Sequence, residues 1–214
     1  MEEHFPRDSG HSGPQMAFPV YFYSEPLDHF ACLSCPVPVS EMQRLCKITD
    51  SLFISNARSA CNCEFLCKEG ITLCINVSKQ QPFPHLELST IRVPVHDQPT
   101  EKLYEHFDCC ADAIEGAVTS RGRAVVYCKN GRSRSATICV AYLMKHRGLG
   151  LQDAFQMVKN ARSVVEPNEG FWAQLQRYEE ELRERMAPKE KQIHELTNEN
   201  SVLLLETSIN GMST

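Results

Sequence analysis

VYCKNGRSRSAT, Val126 to Thr137, is the stretch on which the reading of this chain turns. It runs from the end of a β-branched apolar segment through a cysteine into a loop of Gly, Ser and cations. An arginine and an apolar helical segment follow. Gly131 allows a tight turn, the amides of residues 129 to 134 can converge as a nest, and the start of the helix adds its positive end. Together these make a cradle for an anion, with phosphate or sulfate as the natural guest. Lys129, Asn130, Gly131, Arg132, Ser133 and Arg134 form the cradle, and the planar fork of Arg134 suits two oxygens of one anion. Helix N-termini and nearby cations also favour the thiolate form of a cysteine, so Cys128 reads as a nucleophile facing the central atom of the guest. A nucleotide-binding loop would require GxxxxGK followed by Ser or Thr, whereas here the single Gly131 is followed by Arg132.

The local cations stand out because the chain as a whole is acidic, with a net charge of -5 over 214 residues. That balance gives no general pull toward nucleic acid or acidic membranes, so the anion site is a local device. The length suits one substantial core plus tails. Eleven cysteines raise the prospect of a disulfide scaffold, but the number is odd, the chain is not small, and MEEHFPRDSG has no basic n-region or apolar h-region. Reduced thiols in a cytosolic or nuclear protein are the expectation. No apolar run is long enough to span a bilayer, so no membrane partner is expected. Cys32 and Cys35 form a CxxC that could be half of a zinc site with Cys61, Cys63 and Cys67, but the second set lacks paired spacing and free thiols are favoured.

Residues 1–45 contain several prolines among aromatics without periodicity and read as a flexible extension; residues 187–214 read as a polar tail. Between them, 46–186 forms the expected domain. SLFIS (51–55), ITLCINV (71–77), IRVPV (91–95) and RAVVY (123–127) read as strands, and helical spacing covers 102–119, 151–161 and 171–182. The segment 135–146 is apolar nearly all round, which puts it at the centre of the core. Strands alternating with helices predict an α/β fold with a central mixed sheet flanked by helices.

Cys128, Arg134 and Ser135 match the CX5R(S/T) signature, and the chain resembles the cysteine-based protein tyrosine phosphatases. GRSRS followed by AYLM is similar to the dual-specificity branch, PNEGFWAQLQRYEEEL (167–182) resembles the family's terminal helix, and SLFISNARSA (51–60) its opening strand. The resemblance implies attack by Cys128 on the phosphorus of a phosphoryl ester, with Arg134 and the loop amides holding its oxygens. It also implies a carboxylic acid at Asp97 in VPVHDQP that protonates the leaving group, and Ser135 hydrogen-bonded to the departing thiolate. No metal or cofactor is implied. Glu101 is the nearest competing carboxylate but is expected to serve the helix start, and His96 is expected to be an exposed loop residue.

The chain departs from the family at one position: Tyr127 stands where His usually precedes the cysteine. A phenol is bulkier and offers one O–H, so slower attack near neutral pH and a distorted loop are expected; the competing reading is a strand-end aromatic packed on the core. The resemblance to compact members implies a shallow pocket for phosphotyrosine, phosphoserine and phosphothreonine in phosphoprotein substrates, with a monomer favoured. Lipid and nucleotide phosphates stay open. The alternative function is a phosphate-binding scaffold with little or no turnover.

Overall fold

The computed structural model describes residues 44–186. The expectations for 1–43 and 187–214, including the Cys32 and Cys35 pair, lie outside the described residues. In chain order the elements are β1 (Cys46–Lys47), β2 (Leu52–Asn56), α1 (Ala57–Ala60), α2 (Cys63–Lys68), β3 (Leu73–Asn76) and β4 (Ser89–Arg92). A 3-10 turn (Leu103–His106) then leads into α3 (Phe107–Thr119), β5 (Ala124–Cys128), α4 (Arg134–Arg147) and α5 (Leu151–Ala161). A last helix, α6, covers 169–186.

The five strands form one sheet in the order β1-β2-β5-β3-β4. β1 is antiparallel to β2 and every other pair is parallel, so the sheet is mixed. β5 lies at its centre and is buried along its whole length, as a continuous apolar run in a parallel sheet should be. Parallel strands end on the same edge, and there Asn56 of β2 is in register with Cys128, the last residue of β5. The carboxyl edge of such a sheet is where α/β proteins place ligands.

Period-two alternation divides β5 between two cores. Ala124, Val126 and Cys128 join the main cluster with α3, α4, α5 and α6, while Val125 and Tyr127 join a smaller cluster with Phe53, Leu66 and Cys74 under α1 and α2. α4 is buried continuously from Arg134 to Met144 and packs on α3, α5 and β5. This is the central helix that its all-round apolar sequence predicts.

One expected strand and one expected helix differ from their sequence bounds for physical reasons. The 91–95 segment pairs only as far as Arg92; Pro94 has no N–H to give to a ladder. The helix expected over 102–119 opens with the tighter turn at Leu103–His106 before α3 proper.

Candidate active site

The loop between β5 and α4 wraps around the end of the sheet. Gly131 takes φ 63°, and a Cβ there would sit 2.5 Å from the Ser55 carbonyl oxygen, so both its conformation and its contact with β2 require glycine. The outer carbonyls of the loop are held from behind. Ala57 N–H donates to Lys129 O (3.4 Å), and the buried Arg162 guanidinium donates through Nε to Gly131 O (2.8 Å) and through Nη2 to Asn130 O (3.1 Å). With its carbonyls tied outward, a tight loop presents its N–H groups to the inside, which is the nest the sequence suggests.

Cys128 is buried at the start of this loop, with Sγ 3.3 Å from Ser135 Oγ in the first turn of α4. Ser133, which precedes α4, makes no side-chain cap to its own helix. Its hydroxyl instead donates to Asp97 Oδ1 (2.6 Å). Arg134 lies beneath, its side chain only 9% exposed, with Nη1 donating to Val95 O (3.2 Å) and Nε 3.7 Å from Asp97 Oδ2. Among the described residues, that Nε is the buried side-chain polar atom that has no hydrogen-bond partner. The arginine thus holds the segment leading to Asp97 with one nitrogen and keeps another buried without a hydrogen-bond partner.

Each residue singled out from the sequence can now be placed. Asp97, Ser133 and Arg134 meet in one cluster, and Cys128 meets Ser135. Lys129 and Asn130 are exposed on the loop's outer side. Arg132 turns outward into an ion pair with Glu166. His96 is exposed, and its backbone N–H bonds to the Glu101 carboxylate. That bond, with Lys79 at 3.4 Å, holds the Glu101 carboxyl below its usual range, so Glu101 braces the 96–101 loop as an acceptor.

Tyr127 points to the face of the sheet opposite Cys128. It is fully buried, its hydroxyl donates to Pro82 O (2.8 Å), and burial raises its pKa. The same carbonyl accepts from Asn76 Nδ2 (3.2 Å), and Arg92 Nη1 binds Ser78 O (3.0 Å) and Gln81 O (3.1 Å). Tyr127 is therefore one of several ties holding the 78–82 segment to the sheet.

Sequence reading assigned no role to Asn168, Arg162 or Glu166. Asn168 caps α6, its Oδ1 accepting from Phe171 N–H (2.9 Å). The residue also donates through Nδ2 to Asp97 Oδ1 (3.0 Å) and through its backbone N–H to Ser133 Oγ (3.2 Å). An Asn ahead of an apolar helical run is a readable cap signal, but its reach to Asp97, 71 residues away, is not. The start of α6 lies so close to the 96–101 loop that a Cβ on Gly170 would be 2.0 Å from Pro99 O. Among the described residues no cluster of His, Cys, Asp and Glu is placed to hold a metal ion, and Cys61, Cys63 and Cys67 are free thiols.

Cys128 at the carboxyl end of the central parallel strand, the loop that follows it and Arg134 at the foot of a buried helix thus come together at one edge of a mixed α/β domain. The chain belongs to the dual specificity phosphatase family, whose catalytic-domain model matches residues 52–181. It is 55% identical to human dual specificity phosphatase 28 over 140 residues, which cover 65% of this chain and 80% of that protein. Among solved structures it resembles a Tyr-to-His variant of human DUSP28 (TM-score 0.66, 52% identity, 66% of this chain and 98% of that one). It is equally similar to a mouse putative dual specificity phosphatase in complex with zinc tungstate (TM-score 0.66, 52% identity, 71% and 94%). Membership supports protein phosphatase function and implies phosphoprotein substrates.

Proposed function

We propose that residues 46–186 form a metal-independent phosphatase for phosphotyrosine, and for phosphoserine and phosphothreonine, in proteins. It works through a phosphocysteine intermediate at an activity kept low by Tyr127. The observation that carries this reading is the buried Arg134 Nε, which has no hydrogen-bond partner and lies 3.7 Å from Asp97 Oδ2 at the start of the helix that follows the loop. A buried charged nitrogen needs a partner, and a phosphoryl oxygen supplies one. The complex of the mouse relative with tungstate, a tetrahedral oxyanion of phosphate's shape, supports an anion of this class.

In the first step the Cys128 thiolate forms an S–P bond, the ester P–O bond breaks, and protonated Asp97 gives its proton to the leaving oxygen. Arg134 and the loop amides hold the equatorial oxygens, supplying the positive charge that the reaction requires. In the second step water attacks phosphorus, the Asp97 carboxylate takes its proton, and the S–P bond breaks. The Ser135 hydroxyl, 3.3 Å from Sγ, donates to the departing thiolate, and inorganic phosphate leaves. Tyr127 commits its hydroxyl to Pro82 on the far side of the sheet, so it gives the phosphate loop none of the support that a histidine supplies in relatives. The free thiols throughout the described residues suit action in the cytosol or nucleus.

One observation favours a second reading, a binding module with little turnover. Asp97 Oδ1 accepts from both Ser133 and Asn168, so the group that the first step calls on is already tied to the loop and to the start of α6. The test is hydrolysis of an aryl phosphate against pH in chelator-treated buffer, comparing the parent with Cys128→Ser and Tyr127→His. Activity that is lost in Cys128→Ser and increased in Tyr127→His supports the phosphatase. A parent no faster than Cys128→Ser at any pH, but binding phosphopeptide, establishes the module instead.

A further inference from the structure

Between α5 and α6 the chain passes the phosphate loop as Glu166-Pro167-Asn168. Glu166 N–H donates to Arg132 O (2.9 Å) and Asn168 N–H to Ser133 Oγ (3.2 Å). Pro167 between them has a fixed φ and no N–H. The segment is thus laid against the loop in one register by main-chain bonds, and in that register the Glu166 carboxylate meets the Arg132 guanidinium. Arg132 holds the Glu166 carboxyl below its usual range, so it is ionised near neutral pH. Glu169, three residues on, is exposed.

The loop's cations are therefore sorted by depth. Arg134, 9% exposed, lies deep at the start of α4 and, in the proposed mechanism, serves the phosphoryl group common to every substrate. Arg132, 56% exposed, stands at the rim, where residues flanking the phosphorylated side chain must pass, and there it faces a carboxylate that is itself 64% exposed. An acidic flank or a second phosphate arriving at this rim recruits Arg132 only by displacing Glu166, and meets the negative charge of Glu166 as it does so. A neutral or basic flank meets no such opposition.

We propose that Glu166 is a specificity-determining residue, biasing the site against phosphopeptides with acidic or additionally phosphorylated neighbours and toward neutral or basic flanks. The proposal deepens the phosphatase reading, resting on it only in that the cradle takes a phosphorylated side chain. An exposed ion pair adds little to stability. Its effect on substrates is that of a unit charge a few ångströms from a flanking anion, worth about threefold in water for one charge and about tenfold for two.

The experiment uses the full chain with three phosphotyrosine peptides that differ only in flanks: neutral, acidic, and carrying a second phosphate. For the parent, Glu166→Gln and Glu166→Arg, the readout is kcat/KM on each charged-flank peptide divided by that on the neutral one, at low and high salt. The expected parent ratio is below one. It rises about threefold in Glu166→Gln and about tenfold in Glu166→Arg, chiefly through KM, and the differences shrink as salt screens them. A ratio equal in all three proteins, or a parent that prefers the acidic peptides, overturns the proposal. If no protein turns over any peptide, the phosphatase reading fails separately, and the same ratios are read from peptide affinities in the Cys128→Ser background. There, affinity ratios that move with Glu166 support the proposal and flat ratios overturn it.

Discussion

Tyr127 and Cys128 are adjacent in sequence and serve opposite sides of the sheet. Cys128 belongs to the main core and opens the phosphate loop; Tyr127 belongs to the smaller core under α1 and α2 and ties down the 78–82 segment through Pro82. The two side chains share a backbone and nothing else among their hydrogen bonds. Tyr127 therefore influences chemistry only by what it fails to give the phosphate loop, or indirectly through the strand and the segment beyond it. In the proposed mechanism one face of the strand serves reaction and the other packing, and substitutions on each should separate along that line.

The largest effect belongs to the reactive face. Asp97→Asn keeps an oxygen that accepts from Ser133 and Asn168, so the geometry persists while the proton donor is lost. kcat is expected to fall by about 10²–10⁴-fold on peptide substrates, with only a small drop in melting temperature from losing the charge that Oδ2 sets 3.7 Å from Arg134 Nε. A loss of equal size in stability would break the separation. Next comes the packing face. Tyr127→Ala removes a wholly buried ring from the smaller core, and the expected cost is about 3–5 kcal/mol in denaturant unfolding. The surviving folded protein should keep the parent's rate of alkylation at Cys128, read at that residue by peptide mass spectrometry because other thiols are also free. If alkylation slows sharply in that variant, the two faces are mechanically coupled.

Much of the reactive face was legible because it is contiguous. Cys128 to Ser135 carries the proposed nucleophile, turn, arginine and helix start in one short run, and the apolar character of α4 announces its central position. The supports were illegible because they come from far along the chain: Arg162 bonds to Gly131 across 31 residues, and Asn168 to Asp97 across 71. Nothing in ARSVVEPN separates a buried guanidinium from an exposed one. Local brevity hid other elements. α1 and α2 span 4 and 6 residues, too few to show a period, and only their caps, Asn56 and Asn62, mark them. For Tyr127 the alternation of a strand puts it opposite Cys128, yet the sequence does not say that Pro82 waits there as its acceptor.

The smallest expected effect discriminates most finely. Tyr127→Phe keeps the ring and removes only the O–H to Pro82 O, whose carbonyl still accepts from Asn76 Nδ2. A stability loss of about 1 kcal/mol is expected, since no donor or acceptor is stranded. If the restraint on activity comes from the absence of a supporting group before the nucleophile, Phe and Tyr are equivalent, and the hydrolysis rate of Tyr127→Phe matches the parent while Tyr127→His exceeds it. If Tyr127→Phe is instead as fast as Tyr127→His, the restraint lies in the hydroxyl's hold on the 78–82 segment. The packing face then reaches the reactive one through that segment, and not through the loop that follows Cys128.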